Sequence, residues 1–295
     1  MSTTRPSVGY HILALVTIAV WGTTFVSTKV LLAHGLTPPE IMFYRFIIAY
    51  ALTWIFARKL WADTWKDELL LAVAGFTGGT LYFLAENTAL DYSITSNVAL
   101  VVCVTPVLTA LLTSFCYKER ITARLVVGSV VSLLGVGFVV LNGTVLQIHP
   151  LGDALALVAA FAWAVYSVVV RRFDGRYTIW FVTRKVFFYG IVTMIPFIAA
   201  GMGGGLHLER LTIPIVAGNV LFLSVVASML CFYSWNLVLE KLGTVRASNY
   251  MYTQPLVSLA CSVAVLGEPI THIALLGTVF ILVGIYVAER KQKKH

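Results

Sequence analysis

Long apolar runs, cut at near-regular intervals by short polar stretches, organise this chain from residue 9 to residue 289. They cover residues 9–32, 40–60, 69–90, 95–117, 123–142, 152–172, 178–200, 213–239, 245–266 and 272–289. Each is close to the roughly 20 helical residues that cross a hydrocarbon core of about 30 Å. None alternates apolar and polar positions with period two, so the runs predict helices and not barrel strands. The expected fold class is an all-α polytopic membrane protein with ten transmembrane helices. Arg5 precedes the first run as it would in a cleavable leader, but the run stays apolar past a normal leader core and is read as the first span.

Composition agrees with a bilayer as solvent. Hydrophobic residues make up 59% of the 295 and charged residues 12%, with a mean hydropathy of +0.88. A soluble domain carries roughly 25% charged residues, so this chain lacks the polar surface for a water-facing globule. The formal charge of +8 does not point to nucleic acid, because the basic residues are scattered between apolar runs and form no single face. Instead they sort by loop. Arg58, Lys59, Lys66, Lys118, Arg120, Arg124, Arg171, Arg172, Arg176, Lys241 and Arg246 fall on the side of the N-terminus, with Arg5 and the tail Arg290 to Lys294; the opposite loops have Arg210 alone. Basic loops stay in the cytoplasm, so both termini are expected there, in a bacterial-type inner membrane. Cys103, Cys116, Cys231 and Cys261 show no CxxC or metal-ligand spacing and are read as small apolar residues.

A shift of 149 residues lays Pro106 on Pro255, Glu119 on Glu268, Asn87 on Asn236, Gly128 on Gly277 and Gly135 on Gly284. So long a run at a constant offset predicts two structural repeats of five helices each, residues 1–145 and 146–295. Five crossings is odd, so the second repeat enters from the opposite side. Inverted repeats are the construction of secondary transporters, with the substrate site near the midplane between them.

The motifs "WGTTF" at Trp21 to Phe25, "YRF" around Arg45, "TPV" at Pro106, "ERIT" at Glu119 to Thr122, "QPLV" at Pro255 and "GEPIT" at Gly267 to Thr271 carry a likeness. In this order they resemble the EamA-type repeat of the drug/metabolite transporter superfamily, and among its members the aromatic amino-acid exporters of bacteria. The resemblance implies a central cavity ringed by the first four helices of each repeat, with the fifth and tenth outside it. It also implies the export direction and the substrate class, amino acids with aromatic or other neutral side chains.

Candidate cavity residues come from helix position. Trp21 and Trp163 sit about twelve residues into their runs, near the bilayer centre, where tryptophan is unusual. They are read either as rings that stack on substrate and offer an N–H donor, or as helix–helix contacts. Gly75, Gly79, Tyr82 and Glu86 recur at helical spacing, as do Ser224, Ser228, Cys231 and Trp235 at the shifted positions. The small residues favour close packing, while the Tyr82 hydroxyl needs a polar partner. Asn87, Asn236 and Tyr252 complete the cavity candidates, and Pro106 and Pro255 are expected to kink their helices.

Charges within a membrane default to function. Lys29, Arg45 and Glu86 fall in the outer third of their runs and are read as a gate or as groups for a zwitterion's ends, against snorkelling of Lys29 and a static Arg45–Glu86 pair. Arg184 and Lys185 are their rough counterparts toward the cytoplasm, with no deep carboxylate expected beside them. No P-loop, HExxH, GxSxG or dinucleotide fingerprint is present, so no enzyme, cofactor, metal site or obligate protein partner is inferred. The expected partners are a small-molecule substrate and the lipid bilayer. The reading is an exporter working by alternating access. The alternatives are a drug or metabolite carrier for purines, sugars or organic cations, and a lipid or signalling membrane protein without solute flux.

Overall fold

The computed structural model describes residues 8–93, 95–140, 149–200, 205–257, 260 and 271–289. Among them every regular element is helical. In chain order these are α1 (Val8–Ala33), α2 (Pro38–Thr53), α3 (Trp65–Tyr92), α4 (Thr95–Val102), α5 (Thr105–Tyr117), α6 (Ala123–Val140), α7 (Pro150–Val170), α8 (Ile179–Ala199), α9 (Pro214–Leu242), α10 (Thr244–Asn249) and α11 (His272–Glu289). Among the described residues, six stretches are long and apolar enough to cross a membrane by themselves: α1, α3, Val98–Tyr117, Pro150–Phe173, α8 and α9. The protein is a multi-pass membrane protein. Glu268, Cys261 and the motif residues Gly267 to Ile270 lie outside the described residues, as do Arg5 and the basic tail.

Sequence chemistry sets the helix ends. Glu40 in the first turn of α2 accepts from both the backbone N–H and the hydroxyl of Thr37, at 2.9 Å each, and Thr64 and Thr178 accept the Asp67 and Phe181 amides at the starts of α3 and α8. Such caps satisfy amides that no preceding turn can reach. Lys118 ends α5 in the left-handed region at φ 55°, and Gly243 makes the turn between α9 and α10 at φ 86°. The run expected as one helix over 95–117 breaks at Cys103 and Val104. Pro106 then sits in the first turn of α5, where its missing N–H costs nothing. Pro255 similarly follows a tight 3-10 turn, Tyr250–Thr253. The prolines start helices and do not bend continuous ones.

Two helices contain π segments, Phe76–Leu81 in α3 and Phe222–Leu230 in α9. The shift of 149 carries 76–81 onto 225–230, so the two irregularities occupy equivalent places. In a π segment each amide bonds five residues back, which widens the turn and changes the rotational phase of the residues beyond it.

Helix α3 packs against α7 and α8, α2 against α8 and α9, and α1 against α9. Together they enclose one large apolar core. Helices α6 and α11 pair with each other to one side, meeting the rest mainly through α4, α10 and the Tyr250–Thr253 turn. Their crossing is made by glycines. A Cβ on Gly128 would lie 2.5 Å from the Gly284 carbonyl oxygen, and one on Gly277 would lie 2.6 Å from that of Gly135. The early glycine of each helix thus faces the late glycine of the other: the helices are antiparallel and the contact is reciprocal, as in a two-fold interface. Val8, Ile12, Val127, Val130, Leu134, Leu275 and Leu282 are exposed on the outer faces and provide the lipid-facing surface.

Candidate functional site

At mid-depth, α1, α2, α3, α7 and the segment after α10 close around a small cavity. Trp21, Thr24, Arg45, Tyr82, Phe83, Glu86, Trp163, Met251 and Gln254 line it. Its volume is about 20 Å³, room for about one water molecule. Four of the nine lining residues are aromatic. Trp21 meets Trp163 edge-on with centroids 5.1 Å apart, Tyr82 lies 4.8 Å from Trp163, and Phe232 packs behind both tryptophans.

The two indoles are not equivalent. Trp21 Nε1 donates to the Ala227 carbonyl at 2.9 Å, an oxygen within the π segment of α9. Trp163 Nε1 is buried and has no acceptor among the described residues. A buried donor left unmatched costs roughly 1–3 kcal/mol, and a ligand oxygen in the cavity would remove that cost.

The charges are likewise only partly matched. Arg45 lies over the Phe83 ring at 4.2 Å and donates from Nε to the Ser228 hydroxyl at 2.8 Å. Glu86 accepts the Tyr82 hydroxyl proton at 2.6 Å. Both charged residues are almost fully buried and line the same cavity, yet no ion pair within 4 Å joins them. A contact ion pair is therefore absent, although each group lies in the other's electrostatic field, and each has more hydrogen-bonding capacity than these partners use.

The family model for EamA-like transporters matches residues 9–141 and again 150–289. The chain belongs to the EamA-like transporter family. Its two matches are the two repeats. Similar proteins include an archaeal transporter from Archaeoglobus fulgidus, 28% identical over 95% of this chain and 98% of its own length. A probable amino-acid metabolite efflux pump from Escherichia coli is 28% identical, covering 94% of this chain and 93% of its own length. A probable terminal-alkyne amino-acid exporter from Streptantibioticus cattleyicolor is 23% identical, covering 94% and 92%. A solved crystal structure, 20% identical, superposes with a TM-score of 0.75 over 97% of this chain and 98% of that one, a likeness of fold.

Within this EamA-family fold, the other candidate residues are placed elsewhere. Asn236 ties helices together, accepting from Tyr166 at 2.6 Å and donating to Thr183 at 3.0 Å. Asn87 donates to the Pro38 carbonyl at 3.4 Å. Tyr252 is buried with Cys103, Val136 and Ile281, between the bundle and the α6–α11 pair. None of the three lines the cavity. Lys29 donates to the Leu90 and Ser93 carbonyls, covering the last carbonyls of α3.

The stripe of Gly75, Gly79, Tyr82 and Glu86 splits. Both glycines pack on α8, where a Cβ would lie 2.5 Å from Tyr189 Cβ and 3.2 Å from Gly190 Cα respectively, whereas Tyr82 and Glu86 turn into the cavity. The π segment, which contains Gly79 and ends just before Tyr82, changes the phase, so four residues on one face of a regular helix occupy two faces here.

Arg184 and Lys185 lie toward the N-terminal end of α8 in a densely partnered layer. Arg184 donates to the Ala57 and Lys59 carbonyls and stacks on Trp54 at 4.3 Å. Lys185 pairs with Glu68, which also accepts from Tyr189, and lies 4.3 Å over the Trp61 ring. No deep carboxylate is expected beside these cations; the partner that Lys185 finds is Glu68, in the first turn of α3 and one residue outside the apolar run read from the sequence. Next to it, Arg176 grips Asp67 with two hydrogen bonds of 2.9 and 2.7 Å.

Thr24, Phe83 and Gln254 line the cavity without having been singled out. Thr24 is one turn from Trp21 and Gln254 precedes Pro255, so adjacency to marked residues was the available signal. Glu119, conspicuous at the end of its run, pairs with Arg171 at 2.5 Å on the face bearing the N-terminal end of α1. It edges a cleft of about 680 Å³, separate from the central cavity. At its mouth, burial first and the neighbouring Glu240 second push the Asp174 carboxyl up to about 6, against the opposing pull of Arg171 and Lys241.

Proposed function

We propose that this EamA-family chain exports small zwitterionic solutes, neutral and aromatic amino acids first among them, by alternating access. The observation that carries this reading is Arg45 and Glu86 lining one aromatic cavity with no ion pair between them. A zwitterion's carboxylate suits the guanidinium, its ammonium suits Glu86, and a flat side chain suits the Trp21 and Trp163 rings. The unmatched Trp163 N–H supplies a further donor to the substrate. The printed names of the Escherichia coli and Streptantibioticus relatives favour the same substrate class. A purine or sugar would bring no opposite charge to either group, and an organic cation would leave Arg45 opposed to it. Membership of a transporter family weighs against catalysis and against a purely signalling role.

The proposed architecture is ten transmembrane helices in two inverted five-helix repeats. The double family match, the reciprocal glycine contact of α6 with α11, and the equivalent π segments support it. The arginine-rich face is taken as cytoplasmic in a bacterial-type inner membrane, which puts both termini inside. In the present conformation the cavity is too small for an amino acid, as an occluded intermediate between two opposite openings would be.

The test is counterflow of labelled phenylalanine in proteoliposomes, with unlabelled amino acids, adenine, glucose and a quaternary ammonium dye as competitors. Competition by neutral amino acids alone is expected. Competition by the purine or the dye with none by amino acids overturns the reading.

A further inference from the structure

The cleft on the arginine-rich face has no part in the central cavity, yet it is by far the roomier of the two. It lies among the ends of α5, α7 and α9 and the start of α10, and its volume of about 680 Å³ is within the range that takes a small ligand. Its wall carries both signs. Arg120, Arg172 and Arg246 supply guanidinium groups, none in an ion pair among the described residues, while Asp174 and Glu240 supply carboxylates. Thr244 and Asn249, 1% and 2% exposed, also line it. Thr244 Oγ1 and Asn249 Oδ1 are buried with no hydrogen-bond partner among the described residues. Buried oxygens of this kind are costly unless something donates to them. Two residues past Asn249 the chain reaches Met251, and five past it Gln254, both in the wall of the central cavity.

We infer that this cleft is a second substrate site, which takes the same zwitterion with its ammonium toward Asn249 and Thr244 and its carboxylate toward Arg172 and Arg246. The inference rests on the zwitterion reading of the central cavity. It makes the stretch from α10 through Gln254 the shared wall of two sites: a loading site with room for the whole molecule, and an inner site that in this conformation has none. Oriented ammonium-first, the substrate leads with the group that Glu86 receives.

The experiment measures phenylalanine transport by the full chain in proteoliposomes of uniform orientation, with substrate supplied at one face and then at the other. Arg172→Gln with Arg246→Gln changes side chains at the cleft's outer wall and is expected to raise KM about five-fold at the arginine-rich face alone, with kcat from that face rising alongside it so that kcat/KM stays equal in the two directions. Asn249→Ala is expected to raise it about ten-fold on the same side. An equal rise at both faces, or none at either, overturns the loading site. Should Asn249→Ala misfold, the arginine pair decides the matter. If the unaltered protein carries no amino acid from either face, the central-cavity reading fails and this one with it; if it does and the cleft variants match it, only the cleft assignment falls.

Discussion

Two layers of charge cross this bundle, and they are built on opposite terms. In the layer around Arg184, Lys185, Glu68, Asp67 and Arg176, every charged group has charged, aromatic or carbonyl partners from other parts of the chain. In the cavity, Arg45 has a hydroxyl and a ring, and Glu86 has one hydroxyl. Both layers are costly to bury. The first offsets that cost within the fold and so holds α3 to α8; the second leaves it partly open, which makes it available to something that comes and goes. Charge in a membrane helix is therefore ambiguous until its partners are counted.

The sharpest way to break the contrast is to remove one charge from each layer. Arg45→Met should lower amino-acid counterflow by 100-fold or more, because truncating one member of a desolvated charge set costs roughly 2–5 kcal/mol of binding, while the melting temperature changes little. Lys185→Ala should do the reverse. It strands Glu68 in the fold and destabilises by about 3 kcal/mol, read as a lower melting temperature, with KM unchanged in the protein that remains folded. Loss of flux from both at equal stability would erase the distinction.

A smaller contrast separates the tryptophans. Trp21→Phe removes the donor to the Ala227 carbonyl and should cost about 1 kcal/mol of stability. Trp163→Phe keeps a ring and discards an N–H that bonds nothing in the fold, so it should leave stability intact and raise KM about five-fold.

The smallest expected effect is at the rim. Asp174 has its carboxyl pushed up to about 6, so the folded chain holds a proton there that an unfolded chain has released above its ordinary value of 3.8. Its contribution is complete below 3.8 and is lost as pH rises through about 6. Asp174→Asn should flatten the slight fall in melting temperature over that interval and leave the rest of the pH profile alone.

The all-helical membrane fold and its two repeats were readable because apolar length and the 149-residue shift are properties of the chain itself. Half the cavity was readable as well: Trp21, Trp163, Tyr82, Arg45 and Glu86 are residue types that lipid tolerates poorly. Their neighbours were not, since Thr24 and Phe83 are ordinary in any apolar helix. Asn87, Asn236 and Tyr252 had equal claims by type, and only packing shows that their polar atoms lie outside the cavity wall. The π segments were hidden for a different reason. Helical periodicity assumes constant phase, and Phe76–Leu81, which contains Gly79, breaks it before Tyr82. Glu68 escaped because its run was taken to begin at residue 69, one position too late.

The α6–α11 crossing also has a genetic consequence. Because Gly128 meets Gly284 and Gly135 meets Gly277, a bulky lesion at one glycine should be suppressed by changes near its diagonal partner in the other repeat, not at the position that aligns with it in sequence. A suppressor screen on a Gly128 lesion would then return substitutions around 284 and 288 and pass over 277, and so map the packing of the two halves without any coordinates.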